Sequence, residues 1–301
     1  MCLKILVATL FVVMLLGAFL FEPAQRGKVV FESGRSGGPD EDSRRFRLMT
    51  WNIGNGDLES ETRAHAEDLP AVAQVILSND PDAVALQELT GEAQLKLLLG
   101  HLKNRYRGYV CSAGSAANAD RVAALLIKDR RVEGLAPRFE SVSAGDKFVA
   151  AATFRLNQQL PEIVLVSAHA DAFSASRRRV FTADLVDWAR VRTMGGKDRG
   201  EKGQTNGEIA FIAGDLNLEV STRNRTNLFT NDAKHDSESY AYLLKYFRDI
   251  GLDAGETSVN DRRIDYVFGP LGNAPAPRAE VLRGTAIGRM DHWPLLVEIA
   301  L

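Results

Sequence analysis

Cysteine is scarce, with two in 301 residues, Cys2 and Cys111. Cys2 heads an apolar run that belongs in or through a membrane, so the pair cannot form an internal staple and the fold cannot depend on disulfides. Neither cysteine sits in a CxxC pair or near a His pattern, which sets aside a zinc site or a thiol nucleophile. An excess of charge is missing too. Thirty-seven Lys and Arg against 39 Asp and Glu give a net charge of -2, which excludes the bulk attraction of a basic protein for nucleic acid. Local basic patches stay open, Arg177-Arg178-Arg179 first, and with Arg121 they would line the cleft if it is a nucleic-acid track. No internal repeat recurs at a fixed period.

Only one long hydrophobic run is present. Ile5 to Phe21 is apolar except for Thr9 and Gly17 and follows Lys4. Its length is at the short end of the roughly 17 to 25 residues that span a bilayer. No clean A-x-A site follows, which favours a retained anchor over a cleaved export signal. A buried N-terminal helix is the third reading, disfavoured because no face of the run is polar. Residues 1–21 are therefore expected to place the chain in a membrane or export it, with the catalytic part outside the cytoplasm. Residues 22–44, rich in Gly, Ser, Pro and charge, are expected to be a flexible tether. The remaining 45–301, in a chain 45% apolar and 25% charged, suit one large domain. A monomer is the default.

Strand patterns are expected at Phe46–Ile53, Ala83–Gln87, Val122–Ile127, Val149–Leu156, Ile163–Ala168, Ile209–Gly214, Ile264–Phe268 and Leu295–Leu301. Helical spacing is expected over Glu61–Ser78, ended by Asn79-Asp80-Pro81, and over Gln94–Lys103, Ser176–Val191 and Glu238–Ile250. The short polar link through Asn157-Gln158-Gln159 predicts an antiparallel hairpin between two strands. Hairpins mixed with helix crossovers give mixed sheets covered by helices, not a parallel barrel or a doubly wound sheet. Met194–Gly207, with five Gly and many charges, is expected to be an exposed loop.

Chemistry-bearing residues follow the apolar runs. Asn52, after Leu48-Met49-Thr50-Trp51, can point from a strand end into a cleft, though Asn there also suits a turn. Glu88 comes directly after a buried strand, where a carboxylate is costly unless it is paired or bound to a hard cation. In Ile209-Ala210-Phe211-Ile212-Ala213-Gly214-Asp215-Leu216-Asn217, an extended chain would put Asp215 and Asn217 on one side, with Gly214 letting backbone and ligand approach. Asp215 would then activate water and Asn217 would donate to a phosphate oxygen, the alternative being an Asx-turn or helix cap. His169 ends another apolar strand. His292, beside Asp291, can act as acid or base if Asp265 orients its ring. His65, His101 and His235 have no such neighbours and read as surface residues.

The ordered set of Trp51-Asn52, Gln87-Glu88, His169, Gly214-Asp215-Leu216-Asn217, Arg263-Ile264-Asp265-Tyr266-Val267-Phe268 and Asp291-His292 resembles the endonuclease/exonuclease/phosphatase superfamily over 45–301. That resemblance implies a four-layered α/β sandwich, two mixed β-sheets packed face to face with outer helices. It implies a Mg²⁺-dependent phosphoester hydrolase, Mn²⁺ being the alternative cation. Glu88, Asn52 and Asp291 would hold the metal. His169, Asp215, Asn217, Asp265 and His292 would be catalytic, with Asn52, His169 and Asn217 also on the substrate. The Pro-x-Trp-Cys-Asp-Arg element expected of inositol polyphosphate 5-phosphatases is missing around Asn260–Asp265, which disfavours that branch. A nuclease or other phosphodiesterase acting on nucleic acid is the first expectation. The alternatives are a phospholipid or sphingomyelin phosphodiesterase, motivated by the anchor, and a phosphate-binding module without turnover.

Overall fold

The computed structural model describes residues 44–54, 68–112, 121–129, 136–193, 208–220, 232–259, 261–271, 276–285, 287–288 and 290–301. The apolar run Ile5–Phe21 with its membrane expectation, the tether up to residue 43, His65, the first turns of the Glu61–Ser78 helix and the Met194–Gly207 loop lie outside the described residues. Among the described residues no helix is long and apolar enough to cross a membrane.

Along the chain the elements are β1 (Arg45–Asn52), α1 (Leu69–Asn79), β2 (Ala83–Leu89), α2 (Glu92–His101), β3 (Tyr106–Val110), β4 (Val122–Lys128), β5 (Arg138–Ala144), β6 (Lys147–Phe154), β7 (Ile163–His169), α3 (Ala175–Thr193), β8 (Ile209–Asp215), α4 (Ala233–Leu244), β9 (Phe247–Asp249), β10 (Asp265–Pro270), β11 (Arg278–Val281) and β12 (Leu295–Ala300). They form two six-stranded sheets, ordered β11-β12-β1-β2-β4-β3 and β5-β6-β7-β8-β10-β9. In each sheet the two central strands are parallel, β1 with β2 and β7 with β8, and every other pairing is antiparallel. Parallel neighbours need a crossover, supplied by α1 and α3.

The sheets pack face to face. Phe46 of β1 meets Phe211 of β8 at 5.3 Å between ring centroids and Phe154 of β6 at 6.0 Å. Alternation along β7 shows why the central strands read as unbroken apolar runs. Ile163 and Leu165 enter the core between the sheets, while Val164, Val166 and Ala168 pack under Phe181, Leu185 and Val186 of α3. A strand covered on both faces has no solvent side to mark with polar residues. The expected hairpin is present, β6 pairing antiparallel with β7 from Ala150↔Ser167 to Phe154↔Ile163.

Two expectations need correction. Glu238–Ile250 is not one helix: α4 starts at Ala233, capped by Asp232, whose side chain accepts from the His235 N–H, and ends at Leu244. Residues 247–249 pair with β10 instead, and Asp249 takes two bonds from Arg263. The strands β3, β5, β9 and β11 were not anticipated, and they are the four sheet edges. These edge strands are covered less than the central ones, so they lack the apolar run that announces a central strand. α1 stops as expected, Asp80 adopting a left-handed conformation (φ 45) before Pro81 and returning its N–H to the Ile76 carbonyl.

Candidate active site

Strand direction assembles the site. Asn52, Glu88, His169 and Asp215 lie at or next to the C-terminal ends of β1, β2, β7 and β8, the four parallel central strands. Asp265 opens β10 opposite Asp215, and His292 shortly precedes β12, which runs antiparallel to β1. All six therefore arrive at one edge of the sandwich, outside the carboxyl ends of the parallel strands.

Asn52 bridges the two sheets. Its Nδ2 donates to Glu88 Oε1 at 3.2 Å and to Asp215 Oδ2 at 3.0 Å, while its Oδ1 accepts from the Gly54 N–H at 3.0 Å. Both amide hydrogens are thus spent on holding two carboxylates, while the oxygen, with one lone pair on the Gly54 N–H, keeps a second that a cation could use. Glu88 does not follow the strand but lies within β2, on a register shift between Leu86 and Leu89, with φ of 61. A non-glycine residue in that region is uncommon, and here the bulge turns the side chain toward the site. Gln87 faces the core between the sheets, donating to Thr50 Oγ1 and Ser167 Oγ.

The Gly-Asp-Leu-Asn segment differs from an extended strand. Asp215 Oδ1 accepts from the Asn217 N–H at 2.9 Å and Asn217 has φ of 50, an Asx-turn. One side chain does both jobs, Oδ1 closing the turn and Oδ2 facing Asn52 and His292. Asn217 Nδ2 reaches only the Ala170 carbonyl, at 3.4 Å. Gly214 serves a neighbouring strand and not a ligand. A Cβ there would lie 1.9 Å from the Ala168 carbonyl oxygen, and φ is 149.

His292 donates Nδ1–H to Asp265 Oδ2 at 2.8 Å and turns Nε2 toward Asp215 Oδ2 at 3.8 Å and Asp291 Oδ1 at 4.0 Å. Buried Trp51 Nε1 donates to the His292 carbonyl, and Ser258 Oγ donates to the Asp291 carbonyl, fixing the loop. Arg263 braces β9 and β10 through Asp249 and lies 4.5 Å over the Tyr266 ring, a structural part for the motif arginine. His169 Nε2 stands 3.6 Å from Glu88 Oε1 and 3.9 Å from Asp215 Oδ2.

Environment drives the two histidines apart. Burial first, then Lys147, His292 and Arg121, holds His169 well below the ordinary imidazole range, so it is neutral. Burial also opposes charge on His292, but Asp265 outweighs it with help from Asp215 and Asp291, and its pKa rises to about 10. Burial raises Glu88, against Arg121 and Asn52. Burial and then Asp265 push Asp215 up to about 7. Paired groups driven in opposite directions mark acid and base roles.

The donors fit a hard cation. Glu88 Oε2 and Asp265 Oδ1 are buried without a hydrogen-bond partner, and Glu88, raised by burial, would gain from a divalent ion. Asp215, Asp265 and His292 also bring ligand atoms within 4.8 Å of one another, but His292 Nδ1 is committed to Asp265, which leaves oxygen as the dominant donor. Asp291, three-quarters buried, contributes from the rim.

The basic run does not form a track. Arg178 is fully buried, its Nε and Nη2 on Asp236 at 2.8 Å each and its Nη1 on the Asp171 carbonyl. Arg177 is exposed beside Asp146 and Asp171, and Arg179 beside Glu238. Of the four arginines considered, only Arg121 reaches the site, with Nη1 3.3 Å from Glu88 Oε2. The sequence reading missed Lys147, whose Nζ donates to the carbonyls of His169 and Ala170. Its strand partner β5 carries no apolar run, so nothing pointed to it. His101 is exposed and His235 is half-buried beside Asp232.

The sequence model of the Endonuclease/Exonuclease/phosphatase family matches residues 49–287. Among solved structures, truncated TDP2 of Caenorhabditis elegans is similar at TM-score 0.60 and 15% identity, over 85% of this chain and 98% of that one. The AP endonuclease LMAP of Leishmania major gives 0.61 and 16%, over 88% and 91%. An endonuclease/exonuclease/phosphatase of Bacteroides vulgatus gives 0.57 and 17%, over 85% and 99%. At these identities the likeness is one of fold. No curated protein sequence matches the chain.

Proposed function

The chain belongs to the endonuclease/exonuclease/phosphatase family of hydrolytic nucleases and phosphatases, and from that premise we propose that it is a Mg²⁺-dependent phosphodiesterase, with nucleic acid as its first substrate class. The observation that carries this reading is the buried Glu88 Oε2, without a hydrogen-bond partner, among Asn52, Asp215, His169 and the His292–Asp265 pair.

Glu88 would hold the cation, with Asp291 and the Asn52 oxygen in reach, and Mn²⁺ would serve as well. Once bound, the ion would neutralise phosphate charge and make phosphorus more electrophilic. The remaining work falls to the chain. Asp215, raised toward neutrality and oriented by Asn52, accepts a proton from the attacking water. Asn217 holds a non-bridging oxygen, its amide being weakly engaged at rest. His292, charged and fixed by Asp265, presents Nε2–H to the negative charge that grows at phosphorus. Neutral His169 binds phosphate or assists the leaving oxygen.

Support for nucleic acid comes from a structural neighbour named as an AP endonuclease, not from a basic surface. The run Ile5–Phe21 would place the site outside the cytoplasm, by anchor or by export. The test is hydrolysis of DNA, RNA and choline phospholipids with and without a chelator, by wild type and Asp215→Ala. Chelator-sensitive cleavage of DNA or RNA that the variant loses is expected. Cleavage of choline lipids alone would move the proposal to a phospholipid or sphingomyelin phosphodiesterase. Turnover unchanged in Asp215→Ala would overturn the mechanism, and metal binding without hydrolysis of any phosphoester would leave a binding module.

A further inference from the structure

We propose that Arg121 is a displaceable counter-ion of Glu88 and a phosphate-binding residue of the same reaction: it covers the carboxylate while the cation is away and clamps the phosphodiester once the cation has arrived. This rests on the reading that Glu88 takes the metal.

Arg121 directly precedes β4, which runs antiparallel to β2, and Val122 pairs with Leu89 just past the bulge that carries Glu88. Its guanidinium is therefore brought to the catalytic edge by the same irregularity that aims the carboxylate. The contact at 3.3 Å is an ion pair without hydrogen-bond geometry, since Glu88 Oε2 has no hydrogen-bond partner. The other oxygen, Oε1, is taken by Asn52. The lone pairs a cation needs are thus the ones Arg121 covers. A divalent ion bonds carboxylate oxygen at roughly 2.0 to 2.6 Å, and a guanidinium beside the same atom would meet like charge at close range. Arg121 must then give way.

Its destination is set by what the other cations of the site are doing. Lys147 spends two donors on the carbonyls of His169 and Ala170, and His292 is committed to Asp265. Among the described residues Arg121 alone of these three has no hydrogen bond to keep, and its side chain is 19% exposed. A planar fork of N–H donors matches two non-bridging phosphate oxygens. A diester bound beside Glu88 would bring those oxygens to the same end of the sheets as Arg121.

The test uses the full chain, Mn²⁺ as the metal, bis(4-nitrophenyl) phosphate as the diester probe and inorganic phosphate as a competitive inhibitor. By calorimetry without substrate, Arg121→Gln is expected to bind Mn²⁺ about threefold to tenfold more tightly, because a competing cation is gone. In turnover the same variant should raise KM and the phosphate inhibition constant about tenfold to a hundredfold, with kcat changed less. Arg121→Lys should restore the metal affinity of wild type but not KM, having the charge without the fork. A merely structural arginine would not move the two affinities in opposite directions. Metal affinity unchanged or weaker in Arg121→Gln, or KM within about twofold of wild type, would overturn the proposal. If Arg121→Gln does not fold, Arg121→Lys decides through KM at an unchanged thermal midpoint. Glu88→Gln separates the premise: wild-type Mn²⁺ affinity in that variant overturns the metal assignment itself, whatever Arg121 does.

Discussion

Gly54 stands behind Glu88, and one added methyl tests the whole site. A Cβ built on Gly54 would lie 2.1 Å from Glu88 Oε2, 2.6 Å from its Cβ and 2.8 Å from its Cδ, against a comfortable separation of roughly 3.5 Å. The clash with the carboxylate oxygen alone could be relieved by rotating the side chain. The clash with the Glu88 Cβ cannot, because that atom is fixed by a backbone already at φ of 61. Gly54→Ala should therefore push β2 and the segment after β1 apart at the bulge, costing about 1–3 kcal/mol of stability, as overpacking does. It should also break the Gly54 N–H bond to Asn52 Oδ1, which holds the amide on both carboxylates. Losing that outer support while displacing the ligand should weaken metal binding about tenfold to a hundredfold. Calorimetric titration with Mn²⁺, thermal melting and metal-dependent diester hydrolysis would be measured on the same preparation. Glu88→Gln gives the contrast: it removes the charge but keeps the shape, so it should lose metal and turnover at little cost in stability, burial being what raises that carboxyl. A Gly54→Ala protein with wild-type melting and wild-type metal affinity would refute the packing described for this corner. One that melts early yet binds metal normally would refute Glu88 as the ligand.

The buried pair of α3 and α4 yields a second test. Arg178→Met should cost about 3–5 kcal/mol by stranding Asp236 in the interior, while Arg178→Met with Asp236→Leu should recover most of it, as read by denaturant unfolding. Loss in the double variant as large as in the single would contradict this. The pH dependence follows from His292. Its pKa is raised on folding from 6.5 to about 10, so its charge contributes stability that is fully present below 6.5 and is lost as pH rises through about 10. Asp265→Asn removes the main cause, and the alkaline limb of kcat/KM should fall by about one to three pH units. An unmoved limb would detach His292 from that limb. Finally, diesters should be hydrolysed in preference to the corresponding monoesters at neutral pH, checked with matched nitrophenyl substrates, and the reverse order would count against the charge balance of the site.

The central strands were legible because burial on both faces makes them continuous apolar runs, Ile163–His169 and Ile209–Asp215 above all. The edges were not, since Arg138–Ala144 carries its apolar residues interleaved with Glu140, Ser141 and Ser143, and it becomes a strand by pairing with β6. Periodicity also could not show that Phe247 would leave α4 for a sheet edge, because the reason is Asp249 and its bonds to Arg263 and Tyr240. In the site, residue identity and order pointed to Glu88, Asp215, Asp265 and His292. The contacts among them were hidden. That Asp215 closes a turn with one oxygen and faces His292 with the other requires the backbone conformation of Asn217. Arg178 shows the opposite failure: three consecutive arginines read as a surface patch, yet helical geometry sends the middle one into the core to meet Asp236.

Topology and charge then lead to the same chemistry. A sandwich in which each sheet contributes one parallel pair, both pairs pointing to one edge, gathers carboxylates there faster than cations. Glu88, Asp215, Asp265 and Asp291 face Arg121, Lys147 and charged His292, with His169 held neutral. With all four carboxylates ionised, four negative charges against three positive would leave one in excess, at a place where burial makes excess charge costly and holds Asp215 up at about 7. A divalent cation reverses that sign, and a singly charged diester then brings the whole to neutrality, whereas a doubly charged monoester overshoots. Arg121 is the cation whose place the metal would take, and moving it onto the substrate keeps that balance intact throughout binding. On the proposed reading, the ion pair seen between Arg121 and Glu88 would be the resting form of a site organised around a charge it does not itself supply.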